Sequence, residues 1–442
     1  MTDVLFEPLS FRNLTVKNRL FRSSIGARTD HYDGTGTELR MRWDVKYARS
    51  GVGTIISSNS PVDPKGILVP GFATIERDER IPFWRELIRR VHEHDCKYIV
   101  QLAYAGRHRE IPAIQYERGL SSTGRTDWWR GFEAERMTTA QMREIMEAFG
   151  RAGHRARDAG ADGIEIAGAN GFLLTQFLSP SINDRTDEYG GSLANRARFA
   201  IELVRTIRKH VGDDFHLQVK ISLVDHVREV HPWRRHDGST LEESIQVCQW
   251  LEEAGMDGFN VSTGVTFPHP RMPPGQLPMD VFGRAFAVAS GGMHPLRDFL
   301  AFNTPLKHLV RRWWEGPARG REEGITLGDA RALKRAVGVP VMCVGGFQTA
   351  SVIRKAIESG SVDAVAIGRP LIANPDLPKL FAAGHDRPPN PCTYCNKCLV
   401  AVVESPPGCY EESRFASREA MIREIMALYE PPIVPAGSPQ EP

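Results

Sequence analysis

Short apolar segments alternate with amphipathic segments along most of the chain. At four places a helical pattern ends at a glycine, a turn of two or three residues follows, and a buried apolar strand begins. Glycine suits the end of a helix because it adopts the left-handed backbone conformation at little cost. These four junctions predict strands that begin near Thr54, Ile164, Phe259 and Ala364.

Four further apolar segments complete the series. They predict strands over residues 19–25, 98–102, 217–221 and 339–344. Helical periodicity separates successive strands, so the chain shows about eight strand–helix repeats. The predicted helices span residues 37–48, 82–94, 139–158, 193–210, 241–253, 327–336 and 350–358.

Eight strands alternating with helices indicate an α/β fold in which a parallel sheet closes into a (β/α)8 TIM barrel. An open, doubly wound sheet is the competing fold. Such a sheet normally carries a G-x-G-x-x-G phosphate loop after its first strand. The segment from Arg22 to Ala27 reads RSSIGA and does not match that pattern. The barrel is therefore the predicted fold.

Two regions exceed a minimal barrel of residues 1–387. Residues 267–324 follow the sixth predicted strand and are rich in proline and glycine, so we expect an insertion on the catalytic face. Within it, residues 304–314 place apolar side chains opposite basic ones. We expect a lid helix over the barrel mouth, with a helix on a membrane surface as the alternative. Residues 388–442 form a cysteine-rich extension with a helix over 414–429 and a disordered tail.

Composition narrows the classes of function. The net charge of +2 gives no reason to expect nucleic-acid binding. No run approaches the ~20 apolar residues of a transmembrane helix. The first residues, Met1-Thr2-Asp3, do not begin a signal peptide. We therefore expect a cytoplasmic protein without a transmembrane segment.

Barrel enzymes place their functional groups where the strands end. The seventh predicted strand ends at Gly345-Gly346 and the eighth at Gly368-Arg369. Glycines there let backbone N–H groups approach a phosphate closely, and the arginine adds a positive charge. These four residues predict a phosphate cradle, with tight turns as the plainer explanation of the glycines.

Two other strand ends carry polar side chains. Gln101 offers both a donor and an acceptor, which suits the imide edge of a heterocycle. Lys220 places a positive charge where an anion could develop on a ring. A Schiff-base role for Lys220 is the alternative, because some barrel enzymes use a lysine in that way.

Several motifs lie in order along residues 4 to about 385. They include QLAYAGR at 101–107, FLSP at 177–180 and RTDEYGGS at 185–192. Together they resemble the Old Yellow Enzyme family, whose members are FMN-dependent (β/α)8 oxidoreductases. The resemblance implies a barrel fold, bound FMN and hydride transfer through flavin N5.

The resemblance also assigns roles to the residues at the strand ends. It implies that Gln101 hydrogen-bonds the flavin pyrimidine and that Lys220 faces N1 and O2, where it stabilises the anionic reduced flavin. An electrostatic role for Lys220 is thereby favoured over a Schiff base. The FMN-binding residues implied are Ser23, Ser24, Ile25, Gly26, Asn59, Gln101, Lys220, Gly345, Gly346, Gly368 and Arg369.

The substrate side departs from the family pattern. Ala167 and Asn170 stand where the family anchors the substrate through a His and a second His or Asn. Phe172 stands where the family has a proton-donating Tyr. Phenylalanine cannot donate a proton, so another acid serves or the reaction differs. We predict that Asn170 and Tyr104 are catalytic, and His269 is a further candidate near a strand end.

Four of the seven cysteines cluster near the C-terminus. Cys392, Cys395 and Cys398 follow each other at three-residue steps, and Cys409 comes eleven positions later. In a reducing compartment this spacing indicates metal binding rather than disulfides and is typical of an iron–sulfur cluster. The segment resembles the [4Fe–4S] loop of trimethylamine dehydrogenase and 2,4-dienoyl-CoA reductase. We expect a [4Fe–4S] cluster, with zinc or metal-free thiols as alternatives.

The predicted function is that of an FMN-dependent oxidoreductase of the NADH:flavin oxidoreductase type. Hydride reaches flavin N5 from NAD(P)H or an organic donor and leaves to an organic acceptor, such as an unsaturated compound. We expect a small-molecule substrate, a homo-oligomer and, with a cluster present, an external electron-transfer partner. One alternative is a non-redox barrel enzyme that acts on a phosphorylated metabolite through a Schiff base at Lys220. Another is an interaction protein that acts through residues 304–314.

Overall fold

A closed parallel barrel forms the centre of the molecule. The computed structural model describes residues 3–109, 118–128, 131–288 and 293–431. Eight parallel strands pair in chain order, and the eighth pairs with the first, so the sheet has no open edge. The predicted (β/α)8 TIM barrel is confirmed. Its strands are β1 Leu20–Arg22, β2 Thr54–Ile56, β3 Lys97–Ala103, β4 Gly163–Gly168, β5 His216–Ser222, β6 Gly258–Ser262, β7 Val341–Val344 and β8 Ala364–Ile367.

Helices cover the outside of the barrel. Their bounds follow local signals: Thr138 begins α3 with a capping box to Gln141, and the Ser192 side chain accepts a hydrogen bond from the Asn195 N–H at the start of α4. The predicted bounds of α3, α5 and α7 agree with the structure at both ends. The helices are α1 Glu38–Ala48, α2 Ile81–His92, α3 Thr139–Asp158, α4 Leu193–Val211, α5 Leu241–Glu253, α6 Leu327–Lys334, α7 Ala350–Glu358 and α8 Leu377–Ala382.

The amino-terminal end of the barrel is closed by a small β-hairpin, Leu9–Ser10 with Thr15–Val16. The Phe11 ring at its turn lies edge-on against the His216 ring, with 4.6 Å between the ring centroids. Phe11 also lies against Phe21, a residue of the barrel interior. Ligands therefore enter this barrel from the carboxyl ends of the strands.

The insertion after β6 contains the helices Met279–Val288, His294–Asn303 and Lys307–Glu315. The sequence predicted only the third of them. We call the second and third helices the lid hairpin. The helix Lys307–Glu315 buries Trp314 against the body of the protein, whereas its Leu309 is 67% exposed. In the described parts of the chain, no helix is long and apolar enough to cross a bilayer.

The cysteine-rich extension packs on the barrel. The Cys392 N–H donates to Gln348 Oε1 over 2.8 Å, and the Arg414 guanidinium donates to the carbonyl of Ala373 over 2.7 Å. The helix predicted over 414–429 is shorter, Arg418–Met426, because Ser417 caps its start and a 3₁₀ turn, Ala427–Tyr429, follows its end. The tail that was predicted to be disordered lies beyond residue 431, outside the described residues.

Candidate active site

One cavity of about 300 Å³ opens at the carboxyl ends of the barrel strands. Most of its lining is apolar, and polar groups converge on it from six of the eight strand ends. The residues predicted to bind FMN or to act in catalysis that line it are Ser23, Ser24, Ile25, Gly26, Asn59, Gln101, Asn170, Lys220, Gly345, Gly346, Gly368 and Arg369.

Tyr104, which was predicted to be catalytic, lies outside this group, as does the further candidate His269. Tyr104 is not among the cavity-lining residues, and its side chain is 1% exposed. Its ring packs against Gly66 so closely that a Cβ added there would lie 2.5 Å from it. The Tyr104 side chain therefore does not line the space into which Gln101 projects.

A buried carboxylate organises the polar floor of the cavity. Glu165 accepts hydrogen bonds from Gln101 Nε2 and Gln218 Nε2 over 2.7 Å each, and from Asn260 Nδ2 over 2.9 Å. A carboxylate only accepts, which fixes the Gln101 amide with its nitrogen toward Glu165. The same nitrogen donates to Ser24 Oγ over 3.0 Å. Gln101 Oε1 is thus left to accept from a ligand.

Lys220 lies beside this floor. Its Nζ is 3.4 Å from Ser24 Oγ and 3.5 Å from Ser23 Oγ. Burial lowers the pKa of Lys220, and the charge of Glu165 opposes that shift. Burial raises the pKa of Glu165, opposed by Lys220 and by the three amide donors. An anionic ligand group beside Lys220 would favour its charged form.

The four residues predicted to form a phosphate cradle all line the cavity. Gly346 has a left-handed backbone with φ +70°, and a Cβ there would lie 2.4 Å from the Glu322 carbonyl oxygen. Above Gly368 the space is open. Arg369 uses one nitrogen, Nη1, to donate to the Pro274 carbonyl over 2.6 Å and to Asn396 Oδ1. Its other guanidinium nitrogens are available to an anion.

The side chain of Asn59 also bears on whether a polar cofactor fits the cavity. Asn59 Oδ1 is buried and accepts no hydrogen bond from the described residues, although Asn59 lines the cavity. A buried acceptor without a donor costs about 1–3 kcal/mol. A ligand with N–H or O–H groups would satisfy it. The donors, acceptors and charges around the cavity therefore fit FMN.

The substrate side contains Asn170 in the left-handed conformation, with φ +59°. Its Oδ1 accepts from Ser262 Oγ over 3.3 Å, so its amide N–H₂ can donate into the cavity. His269 is fully buried and does not line the cavity; its Nδ1 accepts from the Arg271 N–H. Burial lowers the pKa of His269 to about 3, so this imidazole is neutral and holds no extra proton to give.

The cavity lining has an unusual set of charges. Among the described residues that line it there is no Asp, Glu, His, Tyr or Cys, so no ordinary acid faces the substrate. Its cations are Lys220, Arg369 and Arg28. Sequence reasoning missed Arg28 because it follows the first strand by several residues in a segment without periodicity.

The four clustered cysteines line one small enclosed space of about 10 Å³. Cys398 has its pKa raised by burial and then by the neighbouring thiols, and the Arg414 Nη1 lies 3.0 Å from Cys409 Sγ. In the described part of the chain, no three His, Cys, Asp or Glu side chains approach closely enough to hold a single metal ion. The choice between an iron–sulfur cluster, zinc and metal-free thiols therefore stays a prediction at this site.

The cavity and the cysteine group share a wall. Arg369, Ile372 and Asn396 line both spaces. The part of the cavity near Arg369 and the space lined by the thiols are thus separated by single side chains. Sequence reasoning could not show this neighbourhood, because Asn396 lies 27 positions after Arg369.

Comparison with known proteins agrees with this geometry. Residues 4–266 match the model of the NADH:flavin oxidoreductase / NADH oxidase family. The NADH oxidase of Thermoanaerobacter brockii is 29% identical over 427 residues, which are 93% of this chain and 58% of that protein. An NADPH dehydrogenase of Listeria monocytogenes is 30% identical over 294 residues, which are 65% of this chain and 82% of that protein.

A solved structure shows the same fold. The complex of 2-naphthoyl-CoA reductase with 2-naphthoyl-CoA matches with a TM-score of 0.75 at 23% identity, over 92% of this chain and 57% of that one. The chain spans only 53% to 61% of the lengths of the first four curated relatives that it matches. The family model nevertheless covers more than half of this chain. The chain therefore belongs to the NADH:flavin oxidoreductase / NADH oxidase family, a family of FMN-dependent barrel oxidoreductases.

Proposed function

We propose that this chain is an FMN-dependent oxidoreductase of the Old Yellow Enzyme type. It passes hydride between NAD(P)H, or an organic donor, and a small organic acceptor. The cavity carries the proposal: all eleven residues expected to bind FMN line it, although they come from six different strand ends. Chance would not gather that set around one space.

The proposed division of labour among these residues follows from their contacts. Bound FMN would supply a ring that takes up and returns hydride. Gln101 would offer Oε1 to an imide group of FMN, because Glu165 and Ser24 hold its nitrogen. Lys220 would supply a positive charge that favours negative charge on the ring. Arg369 and the neighbouring glycines would hold the phosphate.

The proposed substrate contact is Asn170. Its free amide N–H₂ can donate to a carbonyl oxygen and polarise it, because Ser262 already holds its oxygen. Ala167 and Phe172 provide only apolar surface at the positions of the missing anchor and acid. We infer that a proton, where the reaction needs one, comes from solvent rather than from a tyrosine.

We propose a [4Fe–4S] cluster at Cys392, Cys395, Cys398 and Cys409. The support is that all four thiols line one buried space and that Arg369 separates this space from the cavity. A cluster there would exchange single electrons with the flavin site and with an external electron-transfer partner. The resemblance of the cysteine segment to the [4Fe–4S] loop of trimethylamine dehydrogenase points the same way.

The remaining proposals concern the whole protein. We propose a cytoplasmic homo-oligomer in which residues 1–387 form the barrel domain, with its insertion at 267–324, and residues 388–442 the extension. The extension contacts the barrel through Gln348 and Arg414, so the two parts fold against each other. Light scattering on the purified protein measures the oligomeric state.

Release of the cofactor tests the proposed function. The protein purified without added flavin should be yellow to brown and should release FMN on heat denaturation. Anaerobic addition of NADH or NADPH should bleach the flavin absorbance. Cys395→Ser should remove most iron and sulfide yet leave the FMN content unchanged, since Cys395 does not line the cavity.

Two results would contradict this proposal. A colourless protein that takes up no FMN would leave the Schiff-base alternative at Lys220, which borohydride trapping with a carbonyl substrate detects. Absence of iron from the wild-type protein, purified anaerobically, would contradict the proposed cluster but not the proposed FMN site.

A further inference from the structure

Arg28 is a cation of the cavity that the proposed function does not use. Lys220 and Arg369 have places at the two ends of the cofactor. Arg28 lines the same cavity, and no hydrogen bond or ion pair joins it to any described residue. No Asp or Glu among the described lining residues balances it. An arginine without a partner in a largely apolar cavity is typical of an anion-binding site.

The backbone conformation of Arg28 also indicates a role in ligand binding. Arg28 has φ +51°, a left-handed conformation that costs a non-glycine residue about 1–2 kcal/mol. Gly71 lies so close behind it that a Cβ at position 71 would be 3.1 Å from the Arg28 Cα. The Asp30 N–H donates to the Gly71 carbonyl over 3.2 Å and keeps the two segments together. Glycine at position 28 would avoid this strain, and strained residues of this kind concentrate at binding sites.

The neighbours of Arg28 in the lining indicate what the anion is attached to. Leu68, Val69 and Phe72 come from the segment that packs beside it, and the insertion adds Phe282 and Trp314. These side chains offer an apolar, partly aromatic surface. Besides Asn170 and the cofactor-binding groups, Gln276 and Asn396 add polar side chains to the described lining, and the Asn396 amide already contacts Arg369 and the Gln276 carbonyl. The ligand that fits is an apolar body with one negative group.

We propose that Arg28 binds the carboxylate of an otherwise apolar substrate. This inference rests on the proposed function and names its substrate class. A guanidinium holds a carboxylate through two parallel hydrogen bonds, which fixes orientation as well as position. Arg28 would thus compensate for the part of the substrate anchor that is lost at Ala167. Because a phosphate of NADPH has related chemistry, the test includes both dinucleotides.

Binding of probe acids to the FMN-loaded protein tests this role. Benzoate, cinnamate and 2-naphthoate, each paired with its primary amide, are titrated anaerobically while the flavin spectrum is followed. The wild-type protein should bind at least one acid 10-fold or more tightly than its amide. Arg28→Gln should raise the Kd of that acid at least 10-fold and change the Kd of the amide less than twofold. Arg12→Gln, at an exposed site, controls for the loss of one positive charge.

A second variant separates binding from a structural role. Arg28→Gly should bind the probe acid as weakly as Arg28→Gln does. It should nevertheless unfold at a higher urea concentration than the wild type, because glycine tolerates the left-handed backbone. Asp95→Gly relieves a similar strain, φ +49°, at an exposed site and should leave the probe Kd unchanged. A structural arginine would instead make Arg28→Gly less stable.

Several outcomes would overturn the inference. They are equal binding of acids and amides by the wild type, equal weakening of both by Arg28→Gln, or loss of FMN from that variant. A raised KM for NADPH with an unchanged KM for NADH would place the dinucleotide phosphate at Arg28 instead. Failure of the proposed function would show as a protein that binds no FMN. It is therefore distinguishable from failure of the carboxylate site, which is tested on the FMN-loaded protein.

Discussion

Glu165 shows how a single buried side chain arranges the polar floor of the cavity. Three amide groups donate to it, and the resulting orientation leaves Gln101 Oε1 for a ligand. In the sequence Glu165 is one polar residue within an apolar strand. A charged residue buried in such a strand needs partners, which is the signal that could have identified it. Its partners Gln101 and Asn260 lie too far away in the sequence to be predicted from it.

Asp225 offers a test at the level of one ionisable group. It is 2% exposed, and burial raises its pKa to about 6 against opposing hydrogen bonds from Ser179 and Ser239. Its ordinary pKa in the unfolded chain is about 3.9. The folded state therefore binds the proton more tightly, and this group lowers the free energy of unfolding as pH rises from about 4 to about 6.

We expect Asp225→Asn to remove this fall in the free energy of unfolding with rising pH. Between pH 4 and pH 7 the wild type should lose about 3 kcal/mol of stability relative to the variant, since one pKa unit corresponds to ~1.4 kcal/mol. Urea unfolding at several pH values measures both proteins. Asp158→Asn, at an exposed carboxylate, should show no such divergence. A constant difference between the wild type and Asp225→Asn across this range would contradict the prediction.

Secondary-structure elements were predictable where their signals are local. Helices α3, α5 and α7 agree with the predicted bounds because apolar periodicity and capping residues define both ends. The first strand was predicted to reach residue 25 but ends at Arg22, because Ser23 to Ile25 line the cavity instead of continuing the sheet. Two insertion helices were missed, and in the second of them Leu296, Phe299 and Leu300 are about half exposed, so its apolar side chains do not mark a face packed on the barrel.

The loop after β7 gives a prediction for a single element. Gly346→Ala should weaken FMN binding at least 10-fold, because its Cβ would lie 2.4 Å from the Glu322 carbonyl and displace the cradle. Gly360→Ala is the matched control: its φ is +66° and nothing lies within 4 Å of the added Cβ. Both variants should lose about 1 kcal/mol of stability from the left-handed backbone.

The comparison of these two variants decides the role of Gly346. The Kd of FMN is measured by fluorescence quenching after the flavin is removed and returned, and stability by urea unfolding. If Gly360→Ala weakened FMN binding as much as Gly346→Ala, backbone strain alone would explain the effect. Unchanged FMN affinity in Gly346→Ala would remove this loop from the cradle.

At the scale of the whole molecule, three distant parts of the chain meet at Arg369. It belongs to the barrel, donates to Pro274 of the insertion and to Asn396 of the extension. The sequence predicted the barrel and the twelve cavity-lining residues named above, but not the residues that the insertion and the extension add to the lining. It could not predict that these three parts meet, because periodicity defines elements and strand ends but not how an insertion and an extension pack on them.

The lid hairpin gives the last prediction. Leu296, Leu300, Leu306 and Leu309 are about half exposed or more and line an apolar groove of about 520 Å³. An exposed apolar patch of this kind binds hydrophobic dyes. The FMN-loaded wild type should therefore enhance the fluorescence of 1-anilino-8-naphthalenesulfonate while its near-UV circular dichroism remains native, which excludes a molten globule.

Paired variants locate the source of that signal. Leu296→Ser with Leu309→Ser should lower the dye fluorescence by at least half, because both side chains line the groove. Ile422→Ser, at an exposed apolar residue outside the groove, should lower it little. Since all three proteins keep the same cavity, dye bound there cancels in the comparison. A native wild type without dye enhancement would show that the groove is covered in solution, and light scattering would then reveal whether a second copy of the chain covers it.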